Sequence, residues 1–207
     1  MTELDRVANV LGALAGTVTD QTVAAMSLAA GRATRGSTTA LAALSAMAEF
    51  LDSPTVDGVR QVLGLTPSGA VRLIDRLAAD GLVVRGPGAD GRSRSVRLTA
   101  AGRTAADDLA RARREVLVTM LSGFSPDELA AMEGLLARLM RNAVYAKTGG
   151  PWICRLCDLT ACDRAGGHCP AHTAALARFK PDHDPHHDAD AGADPGGDPG
   201  GADAQRG

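Results

Sequence analysis

Every cysteine of the chain falls in one short stretch, "CRLCDLTACDRAGGHC", residues 154–169, and the first 150 residues contain neither cysteine nor histidine. The pattern is C-x2-C-x4-C-x6-C, formed by Cys154, Cys157, Cys162 and Cys169. A C-x2-C knuckle puts two sulfurs on one side of a tight loop, and Gly166-Gly167 lets the chain fold back with Cys169. Four thiolates complete a tetrahedral zinc site with Zn–S bonds of about 2.3 Å. Only one knuckle is present, whereas most zinc ribbons pair two, so the spacing also admits an iron–sulfur cluster. A reversible disulfide is the third chemistry, and it needs a thiolate favoured by a neighbour such as Arg155. Arg155 and Arg164 are placed to offset the negative charge of such a centre, and Trp152 with Ile153 to cover it. His168 and His172 read as bystanders rather than replacement ligands.

An enzyme built on these thiols, redox or metal-dependent, is the alternative reading. Four sulfurs on a tetrahedral ion leave no open position for water or substrate. The helical body also offers no histidine as a general base. The sequence therefore reads as no enzyme, and the thiols as an accessory to whatever precedes them.

That preceding part is helical in character. Apolar residues are 45% of the 207, much of this alanine, and only 2% are aromatic, which suits helices better than a β-sandwich. Gly12, Gly16 and Asp20 interrupt the first apolar stretch, so no membrane span is expected. No basic region precedes an apolar core at the N-terminus, and a cytoplasmic location is expected. The formal charge of −2 conceals an asymmetry. Residues 181–207 hold seven aspartates and one arginine, leaving 21 basic and 17 acidic residues elsewhere. Residues 54–104 concentrate eight arginines against four aspartates, the local positive charge that phosphate contacts need.

The periodicity predicts six helices and a hairpin. Leu4, Val7, Leu11, Leu14 and Val18 form a seam on the first helix, with Gly31 and Gly36 bracketing its end. A second helix spans about Ser37 to Leu51, and a third Val56 to Leu63, followed by a turn at Gly64. The fourth has Thr66 as N-cap, Pro67 at the first position and Gly81 as its stop. Its stripe of Ala70, Leu73, Ile74 and Leu77 faces inward, which sends Ser68, Arg72 and Arg76 outward. "LVVR" (82–85) and "SVRLT" (95–99) read as strands around the turn-rich "GPGADGRSR". Thr99 caps a fifth helix carrying Leu109, Val116 and Met120. Ser125 and Glu128 form a capping box for a sixth, with Leu129, Met132, Leu136 and Leu139 at helical spacing.

The segment "VLGLTPSGAVRLIDRLAADGLVVRGPGADGRSRSVRLTAAGR" (62–103) resembles the winged helix-turn-helix of MarR-type transcriptional regulators. The "LGL" turn, "RLIDRL", "GLV", Asp90-x-Arg92 and the closing "LT-x-x-G" carry the resemblance. It extends more weakly over residues 4–145. Arg60, Gly58 inside the third helix and Gly69 depart from the pattern. The resemblance implies a mainly α fold: a three-helix core with a two-stranded β wing, flanked by N- and C-terminal dimerisation helices. It also implies a homodimer on double-stranded DNA, and release by a small-molecule or redox effector. The N-terminal residues of a recognition helix lie nearest the base edges, so Ser68, Gly69 and Arg72 are the expected groove contacts. Arg76 follows one turn later on bases or phosphate, and Thr66 with the free amides of the helix start can hold a phosphate. The resemblance sends Arg92 or Arg94 into the minor groove, where Asp90 is either a brace or an ordinary turn residue.

The resulting expectation is a sequence-specific transcriptional regulator, a repressor acting as a dimer on a pseudo-palindromic operator. Residues 1–150 are its DNA-binding and dimerisation domain. Residues 151–172 are a four-cysteine module that binds metal (zinc, with an iron–sulfur cluster as the alternative) or senses metal or redox state. Residues 173–207 are an acidic tail expected to be disordered. An interaction module without DNA affinity is the remaining possibility, but it leaves the arginines of helix and wing unexplained.

Overall fold

The computed structural model describes residues 2–31, 34, 37–87 and 94–179. Seven helices and one hairpin follow in the order α1 (Glu3–Ala29), α2 (Thr38–Glu49), α3 (Val56–Leu63), α4 (Pro67–Ala79), β1 (Val83–Pro87), β2 (Arg94–Leu98), α5 (Ala100–Met120), α6 (Pro126–Ala146) and α7 (Pro170–Phe179). The mainly α winged-helix architecture expected from sequence is thus present. Asp90 and Arg92 lie outside the described residues, as does the tail from residue 180.

Six of the helices start where a side-chain oxygen satisfies backbone amides that have no partner within the helix. Thr2 and Asp5 form a capping box on α1. Ser37, Thr55, Thr66 and Thr99 cap α2 to α5, and Ser125 with Glu128 closes the box on α6. The Thr99 hydroxyl makes two bonds, accepting from Gly102 N at 3.0 Å and donating to Gly81 O at 2.7 Å. It thereby joins the stop of α4 to the start of α5. Gly64 ends α3 in the left-handed region at φ 63°, a conformation that glycine adopts without a Cβ penalty.

The core is centred on α2. Ala40, Leu41, Ala42, Ala43, Leu44, Ala46 and Met47 are all buried, so this helix is enclosed nearly all round rather than amphipathic. Val59, Val62, Leu73, Ile74 and Leu77 meet it from α3 and α4, and Ala106 and Leu109 from α5. Val83 and Val96 seal the wing onto the same cluster. The hairpin is antiparallel, pairing Val83 with Leu98 through to Pro87 with Arg94. A further anchor comes from Val96 N–H, which donates to Pro54 O at 2.7 Å. That bond ties the wing to the turn before α3.

Among the described residues, two apolar surfaces stay uncovered. Leu4, Val7, Leu11 and Leu14 of α1 are exposed, and so are Leu129, Leu135, Leu136 and Leu139 of α6. The rest of α1 packs along α5, whereas α6 packs chiefly on α7.

The expected boundary at residue 173 falls inside α7. This helix runs to Phe179 and buries Ala171 and Ala174 in a second small cluster with Val144 and Cys169. The "AHTAALARF" segment has only a weak apolar stripe because alanine fills both faces, and it gains its order from docking on α6.

Candidate nucleic-acid interface and thiol module

The outward face of α4 carries the side chains expected there. Thr66 Oγ1 accepts from Gly69 N at 3.1 Å, and Ser68 Oγ lies 3.5 Å from the same hydroxyl. A Cβ on residue 69 would stand 3.0 Å from Thr66 Oγ1, so glycine leaves the capping oxygen uncrowded. Arg72 is exposed and folds back along its own helix, its Nε donating to Ser68 O at 3.3 Å and a terminal nitrogen to Ser68 Oγ at 3.4 Å. Arg76, one turn on, is exposed as well. The first turn of α4 thus presents two hydroxyls, the Ser68 N–H and a guanidinium in succession. Such a group suits an anionic, hydrogen-bonding partner.

The wing is attached to this helix by a contact that sequence reading did not anticipate. Arg85 of β1 pairs with Asp75 of α4 at 2.6 Å. Both side chains are partly exposed, so the pair adds little stability, but it sets the wing against the recognition-type helix. Ser95 Oγ donates to Pro87 O at 3.0 Å, closing the hairpin towards its tip. Arg94 is exposed at the last described pair of the hairpin. Arg60 occupies neither the core nor this face. It is half-buried and paired with Asp57 at 2.6 Å.

The cysteine module begins where α6 ends, and all four cysteines are free thiols. Cys162 Sγ donates to Leu159 O at 3.5 Å, and the thiols act on one another electrostatically, Cys154 with Cys157 and Cys162 with Cys169. The Cys154 thiol is pushed far up, first by Cys157 and then by burial. Cys157 moves oppositely. Cys154 lowers it to about 6 against the effect of burial, with help from Arg113, Arg155 and Arg164. Cys162 is raised by burial and by Cys169. Cys169 itself is buried at the start of α7. Among the described residues, no three Cys, His, Asp or Glu side chains stand ready-made as a metal-holding group.

The surroundings of the thiols differ in part from expectation. Ile153 does pack beside Cys154 and Cys162. Trp152 instead stacks on Phe50 at the end of α2, with ring centroids 5.9 Å apart and planes 5° from parallel. The charge of Arg164 reaches both Cys154 and Cys157, and that of Arg155 reaches Cys157. His168 is held by Asp163 at 2.6 Å on the exposed side of the loop.

This order of elements, a capped outward helix followed by a wing, defines a winged helix-turn-helix. Residues 35–93 match the MarR family. A MarR family protein from Bacillus stearothermophilus superposes with a TM-score of 0.59 at 21% identity, covering 69% of this chain and 98% of that one. MepR, a transcription regulator of the Staphylococcus aureus multidrug efflux pump MepA, gives 0.56 at 16% identity, covering 69% and 99%. CouR from Rhodococcus jostii RHA1, solved bound to p-coumaroyl-CoA, gives 0.51 at 23% identity, covering 67% and 94%. Comparison with curated proteins finds no match. Over about two thirds of its length the chain therefore has the winged-helix fold of these structures. No helix among the described residues is long and apolar enough to cross a membrane.

Proposed function

We propose that the chain is a sequence-specific, DNA-binding transcriptional regulator that acts as a homodimer, with a zinc ion held by Cys154, Cys157, Cys162 and Cys169. The observation that carries the DNA reading is the α4 surface, where Thr66, Ser68, Gly69, Arg72 and Arg76 sit beside a wing ending in Arg94. The sequence reading adds Asp90 and Arg92, which lie outside the described residues. Arginine can donate twice to the O6 and N7 of guanine, which discriminates bases in the major groove. An arginine on a wing reads the width and negative potential of the minor groove.

The unpartnered seams of α1 and α6 support a second copy of the chain, because isolated apolar stripes of this length are normally covered. Two reading heads so joined span half-sites about one helical turn apart. A dimer seated across an operator acts by occlusion, as a repressor, and a small-molecule or redox effector that shifts its heads would release it. Zinc is favoured by four soft donors within sixteen residues of chain, with three arginines whose charge reaches Cys154 or Cys157.

The test is a mobility-shift titration using DNA upstream of the chain's own gene. The logarithm of the binding constant should fall linearly with the logarithm of salt concentration, one counterion being released for about every phosphate contacted. Binding that is absent, or indifferent to salt, would overturn the reading. Elemental analysis of reduced protein should find one zinc per chain in a colourless solution. Iron in a brown protein would replace zinc with a cluster, and no metal would leave a thiol switch.

A further inference from the structure

The end of α6, the loop after it and α7 enclose a cavity of about 550 Å³. It lies outside residues 35–93, the segment that matches the MarR family. Its frame is fixed on both sides. Trp152 N–H donates to Val62 O in α3 at 2.8 Å, and its ring stacks on Phe50. Leu159 N–H donates to Glu49 Oε2 at 3.0 Å, which docks the loop on the end of α2. Opposite, α7 rests on α6 through the buried side chains of Val144, Ala171 and Ala174. The volume is that of an ordinary small-molecule site, about 300–1,000 Å³.

The walls combine two chemistries. Val144, Ile153, Ala171 and Ala175 give an apolar lining, bordered by the rings of Trp152 and Phe179. The chain has only five aromatic residues, and two of them meet at this one cavity, where an aryl guest finds stacking partners. Trp152 stays 43% exposed and Phe179 69% exposed, so both rings have surface left to bury.

The polar part of the wall is cationic. Lys147, Arg164 and Arg178 line it, all half-buried, and no Asp or Glu does. None of the three forms an ion pair with a carboxylate among the described residues. Withdrawing a charge from water without a counter-charge is unfavourable, and a bound anion relieves it. Arg178 is held in place. One terminal nitrogen donates to Val144 O and, at 2.8 Å, to Lys147 O, while the guanidinium carbon lies 5.0 Å from the centre of the Phe179 ring. Those bonds cover carbonyls at the C-terminal end of α6 that would otherwise repel an anion. They leave Nε and the second terminal nitrogen without a partner among the described residues. The charge of Arg164 already reaches Cys154, so Arg178 and Lys147 are the cations open to a guest.

We propose that this cavity binds an aryl-bearing monocarboxylate, with its carboxylate on Arg178 and Lys147 and its ring against Ile153, Trp152 and Phe179. A guanidinium donates charge-assisted bonds to a carboxylate, and the apolar lining takes the remainder of the molecule out of water. Binding requires neither a metal nor DNA. The chain's own acidic end is the other source of carboxylates, but residues 181–207 contain no Leu, Ile, Val, Met, Phe, Tyr or Trp to cover the rings.

Trp152 is the only tryptophan of the chain, so its emission reports on this site alone. The experiment titrates the full-length protein, as purified, with 4-phenylbutyrate and with 4-phenylbutyramide, exciting where neither probe absorbs. The acid should give a saturable change and bind about tenfold tighter than the amide, because only the acid makes charge-assisted bonds to Arg178. Arg178→Gln should bring the two probes within about twofold of each other. Ala175→Leu fills the cavity without altering a charge and should weaken the acid about tenfold or more. Because Arg178 also closes the end of α6, circular dichroism checks the fold of its variant. Should that variant unfold, the acid-to-amide ratio and Ala175→Leu carry the test.

The absence of a saturable response to the acid, equal wild-type affinities for acid and amide, or undiminished binding in Ala175→Leu would each overturn the site. Calorimetric binding of the acid without any change in Trp152 emission would place it elsewhere on the molecule and overturn the site as well.

Discussion

Gly102→Ala should lower the melting temperature by roughly 6–12 °C, corresponding to about 3 kcal/mol for a domain of this size. Gly102 is in the first turn of α5, where the helix crosses the strand leaving α4. A Cβ there would stand 2.0 Å from Leu82 O and 2.9 Å from Leu82 C, with Leu98 Cδ2 at 3.2 Å. The obstructing atoms are backbone and have little room to retreat. Leu82 N–H is bonded to Leu77 O at 2.9 Å, and Leu82 O accepts from Thr99 N–H at 3.0 Å. The Leu82 side chain is buried, and the next residue enters β1. Relief therefore requires α5 to lift away from the wing, losing the Thr99 cap and part of the Val83–Val96 seal. Thermal unfolding followed by circular dichroism measures the effect. A variant melting within 1 °C of wild type (a margin of about 0.3 kcal/mol) would show that the approach is not rigid.

Arg72→Ala should leave stability within about 0.5 kcal/mol of wild type and weaken operator binding by roughly 10- to 150-fold. The two effects separate because the Arg72 side chain is exposed and, among the described residues, its hydrogen bonds go to Ser68 of its own helix. Those local bonds exchange readily with water, whereas a bidentate contact to guanine does not survive truncation. Binding to unrelated DNA should change much less, so sequence preference collapses. The salt slope distinguishes the two roles open to this arginine. A base contact leaves the slope unchanged, while a phosphate contact lowers its magnitude by about one. Equal loss on operator and unrelated DNA would remove Arg72 from direct readout. Parallel titrations of both probes across a salt series decide between these outcomes.

Both predictions depend on features that differ in how visible they are in the sequence. Arg72 could be placed on the outer face of α4 from periodicity alone, since Ala70, Leu73, Ile74 and Leu77 define the inner one. The demand for glycine at 102 could not be inferred in that way. It arises from a strand end 20 residues earlier in the chain passing over the first turn of α5. The "LT-x-x-G" ending signalled that something was required there without showing what. Likewise Glu49 and Phe50 looked like the ordinary end of a helix, and their contacts to the module span more than 100 residues. Trp152 was assigned by proximity in sequence to the cysteines, and the stack on Phe50 takes it to the reading head instead.

The sequence by itself determined what is local: where helices begin at a Ser or Thr cap, where Gly64 turns the chain, which residues of α4 face outward, and that four sulfurs share one loop. Those features are decided within one or two turns by backbone hydrogen bonding and steric limits, so neighbouring residues specify them. Tertiary structure alone decided that the loop docks on α2 and α3, that α7 extends past residue 173 to close over Cys169, and that Asp75 secures the wing. Such contacts join residues far apart in the chain and depend on shape and burial at the meeting point, which no local pattern encodes.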